Sequence, residues 1–283
     1  MHKPVLVKEI LSMFDSKLER FIDGTLGLGG HAAAIMEAHP ELKKYYGIDR
    51  DPEAIAIAKE RLGEKLIAIH GSFSDMDTLV PEDVDGILLD LGVSSLQLDK
   101  AEKGFSFMRE GPLNMRMNPD DPIDASHIVN SYSERDLGKI FSEYGEERKW
   151  RLAAKAIVQA RKKMRIETTA DLCRVLEPVL KRTGKIHPMT RVFQALRICV
   201  NRELDVLEEV IPKAVAKLRK GGKLAIISFH SLEDRMVKIA FRHFMVEEKS
   251  VRILTKKPMV ADKDECRKNP RARSAKLRVL EKV

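Results

Sequence analysis

Hydrophobic positions along this chain gather into short apolar runs, and amphipathic stretches separate them. Runs at Glu19–Asp23, Tyr45–Ile48, Lys65–His70 and Val84–Leu91 read as strands. The last is apolar enough to be buried on both faces. Between them lie an opening amphipathic helix from Val5 to Phe14, an alanine-rich helix from His31 to Ala38 and a helix from Pro52 to Leu62. Asp51 is a good N-cap for that last helix, and Pro52 suits its first turn. This βαβαβ rhythm predicts a parallel, doubly wound sheet.

After Gly92 the rhythm breaks. Val93 to about Asp121 is irregular, and an all-helical block follows. A helix begins at Ser133-x-x-Asp136, a long basic one covers Glu146–Met164, and another runs from Thr169 towards Arg182. Pro188 to Leu218 is helical with one break, and Gly221-Gly222 is expected to end it. A fifth buried strand follows at Lys223–Phe229, then a helix capped by Ser231-x-x-Asp234. Val251–Thr255 and Lys276–Leu280 close the chain as an antiparallel pair. The expected organisation is a discontinuous α/β domain, 1–117 with 191–283, interrupted by a helical domain at 118–190.

Composition narrows the class. The 283 residues are 43% hydrophobic, enough for a real core. No apolar run spans a membrane and no leader pattern opens the chain, so the expected location is the cytoplasm. Cys173, Cys199 and Cys266 are too scattered for a disulfide framework or a zinc site, and no metal is expected. The net charge of +8 is concentrated: Glu146–Arg191 carries thirteen Lys/Arg against five Asp/Glu. A basic surface confined to one region suits a polyanion, above all a nucleic acid.

Candidate chemistry starts at the turn after the first strand, Asp23-Gly24-Thr25-Leu26-Gly27-Leu28-Gly29-Gly30-His31. Glycines there let the backbone approach a ligand, and the following helix start presents free N–H groups. Asp49 ends the second strand, where a carboxylate takes the two hydroxyls of a ribose. Gly27-x-Gly29-x-x-Ala32 also fits the dinucleotide fingerprint, which keeps a nicotinamide oxidoreductase open. A non-catalytic RNA-binding assembly factor with the same pocket is the other alternative. Asp90 closes the fourth strand, where reacting groups sit in such sheets, and Gly92, Ser94, Ser95 and Gln97 follow it.

Taken together, several blocks resemble the small-subunit ribosomal RNA cytosine-N4 methyltransferase family (RsmH/MraW). They are Asp23–His31, Asp49–Pro52, Asp90–Asp99, Gly104–Phe107, Pro112–Met117, Tyr144–Glu147, Phe193–Arg197, Val200–Leu204, Ser228–Arg235 and Arg271–Ala275. The resemblance covers nearly the whole chain in order. It implies a class I S-adenosylmethionine-dependent methyltransferase, a Rossmann-like doubly wound sheet with an inserted helical domain that helps recognise RNA. It implies methylation of a cytosine exocyclic amine in the decoding centre of 16S rRNA, with the small ribosomal subunit as partner. By match of motif, Gly29, Gly30, His31, Asp49, Phe73, Asp90 and Gln97 contact the cofactor. A homodimer is compatible with the sequence.

The residues agree with that chemistry. A cytosine N4 lone pair is delocalised, so the enzyme must align it and hold the amine, which is catalysis by positioning. Asp90 is the candidate acceptor for an N4–H. A C5 methyltransferase would need a cysteine nucleophile, and no cysteine sits in a strand-end loop of the sheet. Phe105 and Phe107 are candidates to stack on the target base. On the helix over 191–202, Arg191, Gln194, Arg197, Asn201 and Arg202 share a polar arc suited to phosphates or water. His230 either faces the cleft or is structural. The basic tail Arg267–Arg278 is a further RNA-contact candidate.

Overall fold

The structure is a computed structural model that describes residues 4–93, 100–181 and 187–283. In chain order the first half gives α1 (Val7–Met13), β1 (Arg20–Asp23), α2 (Gly30–Ala38), β2 (Lys44–Asp49), α3 (Pro52–Leu62), β3 (Leu66–His70), α4 (Met76–Leu79) and β4 (Val84–Asp90). Helices α5 (Ala125–Ser131), α6 (Glu134–Glu143), α7 (Trp150–Ala160), α8 (Thr169–Leu176) and α9 (Pro188–Asn201) follow. The chain ends with α10 (Glu203–Lys217), β5 (Leu218–Ser228), α11 (Ser231–Val246), β6 (Val251–Ile253), α12 (Lys263–Lys268) and β7 (Lys276–Lys282).

The strands form one seven-stranded sheet in the order β3-β2-β1-β4-β5-β7-β6. β1 to β5 are parallel, and β7 runs antiparallel to both β5 and β6. A parallel sheet that reverses its winding between β1 and β4 and closes on an inverted β7 is the class I methyltransferase arrangement expected from the sequence. Alternation along the strands explains why it forms. Ile22, Tyr46, Ile48, Ile87, Leu89, Leu224 and Ile226 pack on one face with Leu207, Val210 and Phe241. Phe21, Tyr45, Leu88, Ala225 and Ile227 pack on the other with Ile10, Phe14 and Ile35. Both faces are covered, so the strands read as continuous apolar runs.

The chain divides into two compact units. One runs to Gly92 and resumes at Leu204; the other is Val93–Glu203. The helical unit is thus wider at both ends than the 118–190 expected. Phe105, Leu113 and Met115 of the irregular stretch, and Val192, Phe193 and Leu196 of α9, share one core with Leu137, Phe141 and Ile157.

Three local expectations shift. The helix before the fifth strand ends at Lys217, and Gly221-Gly222 lie inside β5 instead of ending it. Val84 pairs with Leu218 but Gly86 with Lys223, so β5 carries a bulge there, and Gly221 supplies its positive φ of 78°. The break expected between 188 and 218 falls at Arg202, in left-handed conformation at φ 50°. α11 is capped by His230, one residue before the Ser231 expected, in a capping box with Glu233.

Candidate active site

In open α/β sheets ligands bind beyond the carboxyl ends of the strands, where the winding reverses. Here that point lies between β1 and β4, which end on Asp23 and Asp90. The neighbouring β2 ends on Asp49, paired in register with His70 of β3. Three acids therefore stand on three adjacent strands.

The glycine turn is tied to these strands on both sides. Gly24 N–H donates to Leu88 O at 2.9 Å, and Leu26 N–H to Ile48 O at 3.0 Å. The Thr25 hydroxyl accepts from Asp90 N–H at 2.7 Å, which fixes the residue expected to act on the substrate. Gly29 precedes α2 with φ 71°, a left-handed conformation that favours glycine. Asp49 holds the turn from below: Oδ2 accepts from Gly27 N–H at 2.7 Å, and Oδ1 from Asp51 N–H at 2.9 Å. Burial raises the Asp49 pKa, and these backbone donors oppose the rise.

His31, in the first turn of α2, is buried. Its Nε2 stands 3.4 Å from Asp90 Oδ2, within ion-pair reach but not aligned as a hydrogen bond. Among the described residues, neither ring nitrogen of His31 nor Oδ1 of Asp90 has a hydrogen-bond partner. Orphaned buried polar atoms are costly and mark a place for a ligand.

Beneath them Asp23 is 1% exposed. It accepts from the Tyr45 hydroxyl at 3.1 Å and from Thr25 N–H at 3.1 Å. Burial pushes its pKa up to about 6; neighbouring His31 and the two donors pull it down, and Asp90 adds to the rise. Burial and the Asp23 carboxylate in turn hold the Tyr45 hydroxyl protonated. Asp23 was visible in the sequence only as a strand end. Its part in this buried cluster depends on β1 pairing with β2 and β4, which brings Tyr45 beside it.

The sequence of the whole chain, residues 1–283, matches the profile of the MraW methylase family. The chain belongs to the MraW methylase family. It is 49% identical to the ribosomal RNA small subunit methyltransferase H of Protochlamydia amoebophila, over 100% of this chain and 97% of that one. It is 47% identical to the protein of the same name from Persephonella marina, covering 100% and 99%. A solved rRNA methylase from Streptococcus thermophilus overlays with a TM-score of 0.42 at 13% identity, over 94% of this chain and 87% of that one.

A MraW methylase on a class I sheet takes its methyl group from S-adenosylmethionine. The carboxyl edge fits that cofactor: a glycine-walled turn, an acid at the end of β2, and nitrogens of His31 and an oxygen of Asp90 that are unpartnered among the described residues. Gly29, Gly30, His31, Asp49 and Asp90 come together on this edge. Phe73 follows β3 in the turn from 73 to 75, with the Arg50 guanidinium 5.8 Å over its ring. Its Cβ stands 3.0 Å from where a Gly24 Cβ would lie, so it borders the same turn. Gln97, with Ser94 and Ser95, lies outside the described residues.

Other candidates in the MraW chain are engaged in contacts within their own units. Phe105 is buried in the helical unit, and Phe107 stacks on His187 at 4.8 Å and meets Phe193 edge-on at 5.5 Å. Three residues of the polar arc of α9 are tied down within its own unit, while Arg202 is exposed. Arg197 makes a bidentate pair with Glu203 at 2.8 Å, and Gln194 donates to Tyr144 O at 3.0 Å. Buried Asn201 donates to Met115 O and accepts from Met117 N–H, both at 2.8 Å. His230 Nδ1 accepts from Glu233 N–H at 3.4 Å as the cap of α11, while its buried Nε2, 3.2 Å from Glu233 Oε1, makes no hydrogen bond among the described residues.

Proposed function

We propose that this MraW-family protein methylates the N4 amine of a cytosine in the decoding centre of 16S rRNA. The relatives' shared name, ribosomal RNA small subunit methyltransferase H, supports rRNA of the small subunit as the substrate class. The observation that carries the atom assignment is Asp90, a carboxylate at the winding reversal of the sheet with one oxygen unpartnered among the described residues. The cytoplasm is the proposed location; among the described residues no helix is long and apolar enough to cross a membrane.

When bound, S-adenosylmethionine supplies an electrophilic sulfonium methyl, so the protein's task is alignment. Asp49 takes the ribose hydroxyls while keeping the glycine turn in place. Gly29, Gly30 and His31 line the approach, and Phe73 with its turn flanks the adenine; Gln97 completes the set. Asp90 accepts a hydrogen bond from the N4 amine, which localises the lone pair towards the methyl carbon. Thr25 fixes the Asp90 backbone, and His31 steadies its carboxylate from the side. The surplus proton leaves the amine after transfer, so no strong base is needed. Contrary to the sequence expectation, Cys266 does sit in a strand-end loop, the segment between β6 and β7, but none of the three cysteines sits in the loops that end β1, β2 or β4. Burial also pushes the Cys173 thiol up to about 11, far from an activated nucleophile. The helical unit Val93–Glu203, with its basic excess, is the proposed RNA-recognition element.

The test is methyl transfer from labelled S-adenosylmethionine to small subunits lacking the modification, followed by nucleoside analysis. N4-methylcytosine is the expected product. A methyl group on C5 or on another base would refute the assignment. Asp90→Ala should lower turnover roughly 100-fold or more, the scale set by losing one preorganised polar contact.

A further inference from the structure

The excursion between β6 and β7 is a second basic region, outside the helical unit. From Lys256 to Lys276 it carries eight Lys/Arg and three acids. The acids are all engaged. Asp262 caps α12 by accepting from Glu265 N–H at 2.7 Å, Asp264 pairs with Arg267 at 2.8 Å, and Glu265 accepts from Leu6 N–H at 2.8 Å. Lys256, Lys257 and Arg273 are exposed and make no ion pair among the described residues; the Arg273 Nε donates to Cys266 O at 3.3 Å.

Register places this excursion on the catalytic edge. Asp90 pairs with Ile227 of β5, and Ile227 pairs with Leu277 of β7. β7 thus starts level with Asp90, two strands or roughly 10 Å across the sheet. β6 ends at the same edge, since Ile253 pairs with Leu280 and Met259 bridges to Leu277. The excursion is also rigidly seated. Met259, Ala261, Ala272 and Ala275 pack with Val5 and Leu6 in the core that carries α1. Its cations therefore stand at a fixed height beside the reacting edge, on the unit that holds the cofactor.

We propose that Lys256, Lys257 and Arg273 form a phosphate-binding ledge for single-stranded RNA next to the target base. This rests on the rRNA-methylase reading, and it adds a grip on the substrate that belongs to the cofactor unit itself. Lysines fit it as point charges, and arginine can take a phosphate with two donors. The ledge carries no base selectivity; it sets the height at which the backbone passes the Asp90 edge.

The test is the triple variant Lys256→Glu/Lys257→Glu/Arg273→Glu against wild type, read by RNA affinity over a salt series and by methylation kinetics on small subunits. Single-strand contacts each contribute a log–log salt slope of about 0.7, so three lost contacts should flatten the slope by about 2. KM for RNA should rise about tenfold or more with kcat near wild type, S-adenosylmethionine affinity should be unchanged, and Lys256→Arg/Lys257→Arg should keep wild-type binding. An unaltered slope and affinity would overturn the ledge. If the reversal variant also loses the cofactor, the milder Lys256→Gln/Lys257→Gln/Arg273→Gln variant decides, and unchanged RNA affinity there refutes the proposal. Should wild type methylate no rRNA, the functional reading fails, while the binding series still reports on the ledge.

Discussion

Asp23→Asn isolates a strongly perturbed acid near the site. The carboxyl has an ordinary value of 3.8 and about 6 when folded, because burial outweighs its two hydrogen bonds and His31. A raised carboxyl pKa means that the folded state holds the proton more tightly than the unfolded chain. Between pH 3.8 and about 6 the folded state binds more protons, so stability falls as pH rises through that window. The contribution is fully retained below 3.8 and fully lost above 6. At 1.36 kcal/mol per unit, the loss is about 3 kcal/mol. Asparagine cannot ionise, and its amide oxygen can still accept from Tyr45. Urea unfolding of both proteins at intervals from about pH 3 to about pH 8 measures the difference. Wild type should lose about 3 kcal/mol relative to Asp23→Asn across the window, so that the variant gains on wild type at neutral pH. Parallel stability curves would refute the reasoning and would mean that Asp23 is far better solvated or paired than its contacts imply.

Three further outcomes test other parts. Asp49→Ala removes the acceptor for Gly27 N–H and Asp51 N–H; it should cost about 2–4 kcal/mol in chemical unfolding and weaken S-adenosylmethionine in calorimetry. Asp49→Asn, which keeps an acceptor, should recover more of the stability than of the affinity. Asn201→Ala strands Met115 O and Met117 N–H inside the helical unit, so thermal unfolding should fall by roughly 5 °C or more while the isolated cofactor affinity holds. Lys162→Glu/Lys163→Glu changes two exposed cations after α7; the salt slope of RNA binding should drop by about 1.4 with no change in melting temperature.

Much of the fold was legible because its signals are local. The apolar runs of β1, β2 and β4 reflect strands covered on both faces, and Asp51-Pro52 marks the start of α3 through its own cap, with Glu53 N–H donating to Asp51 at 3.1 Å. Edges were less legible because they are set at long range. Nothing periodic in 93–121 announces that Phe105, Leu113 and Met115 supply core to helices that follow them, so the helical unit was expected to begin later than it does. Gly221-Gly222 has the composition of a helix stop, and only pairing with β4 shows that it is a bulge.

The site divides in the same way. Glycines and strand-end acids announce themselves, since their chemistry depends on position within a strand–turn–helix unit. The polar arc of α9 does not. A helical wheel shows Gln194, Arg197 and Asn201 facing one way, but not what waits there. In the fold it is Tyr144 O fifty residues back, Glu203 six residues on, and the Met115–Met117 backbone more than eighty residues back. Tyr144 O, Glu203 and Met115 O each take up a donor that a phosphate would otherwise have used. The same accounting separates the ledge from α9. Between Lys256 and Lys276 the acids are consumed locally by a cap, a pair and the Leu6 amide, which leaves Lys256, Lys257 and Arg273 without an acid partner among the described residues. A charged residue in a sequence is therefore a candidate contact only to the extent that the fold leaves its charge unspent and its place lies near the reacting edge, and in the β6–β7 excursion Lys256, Lys257 and Arg273 are the proposed contacts by both tests.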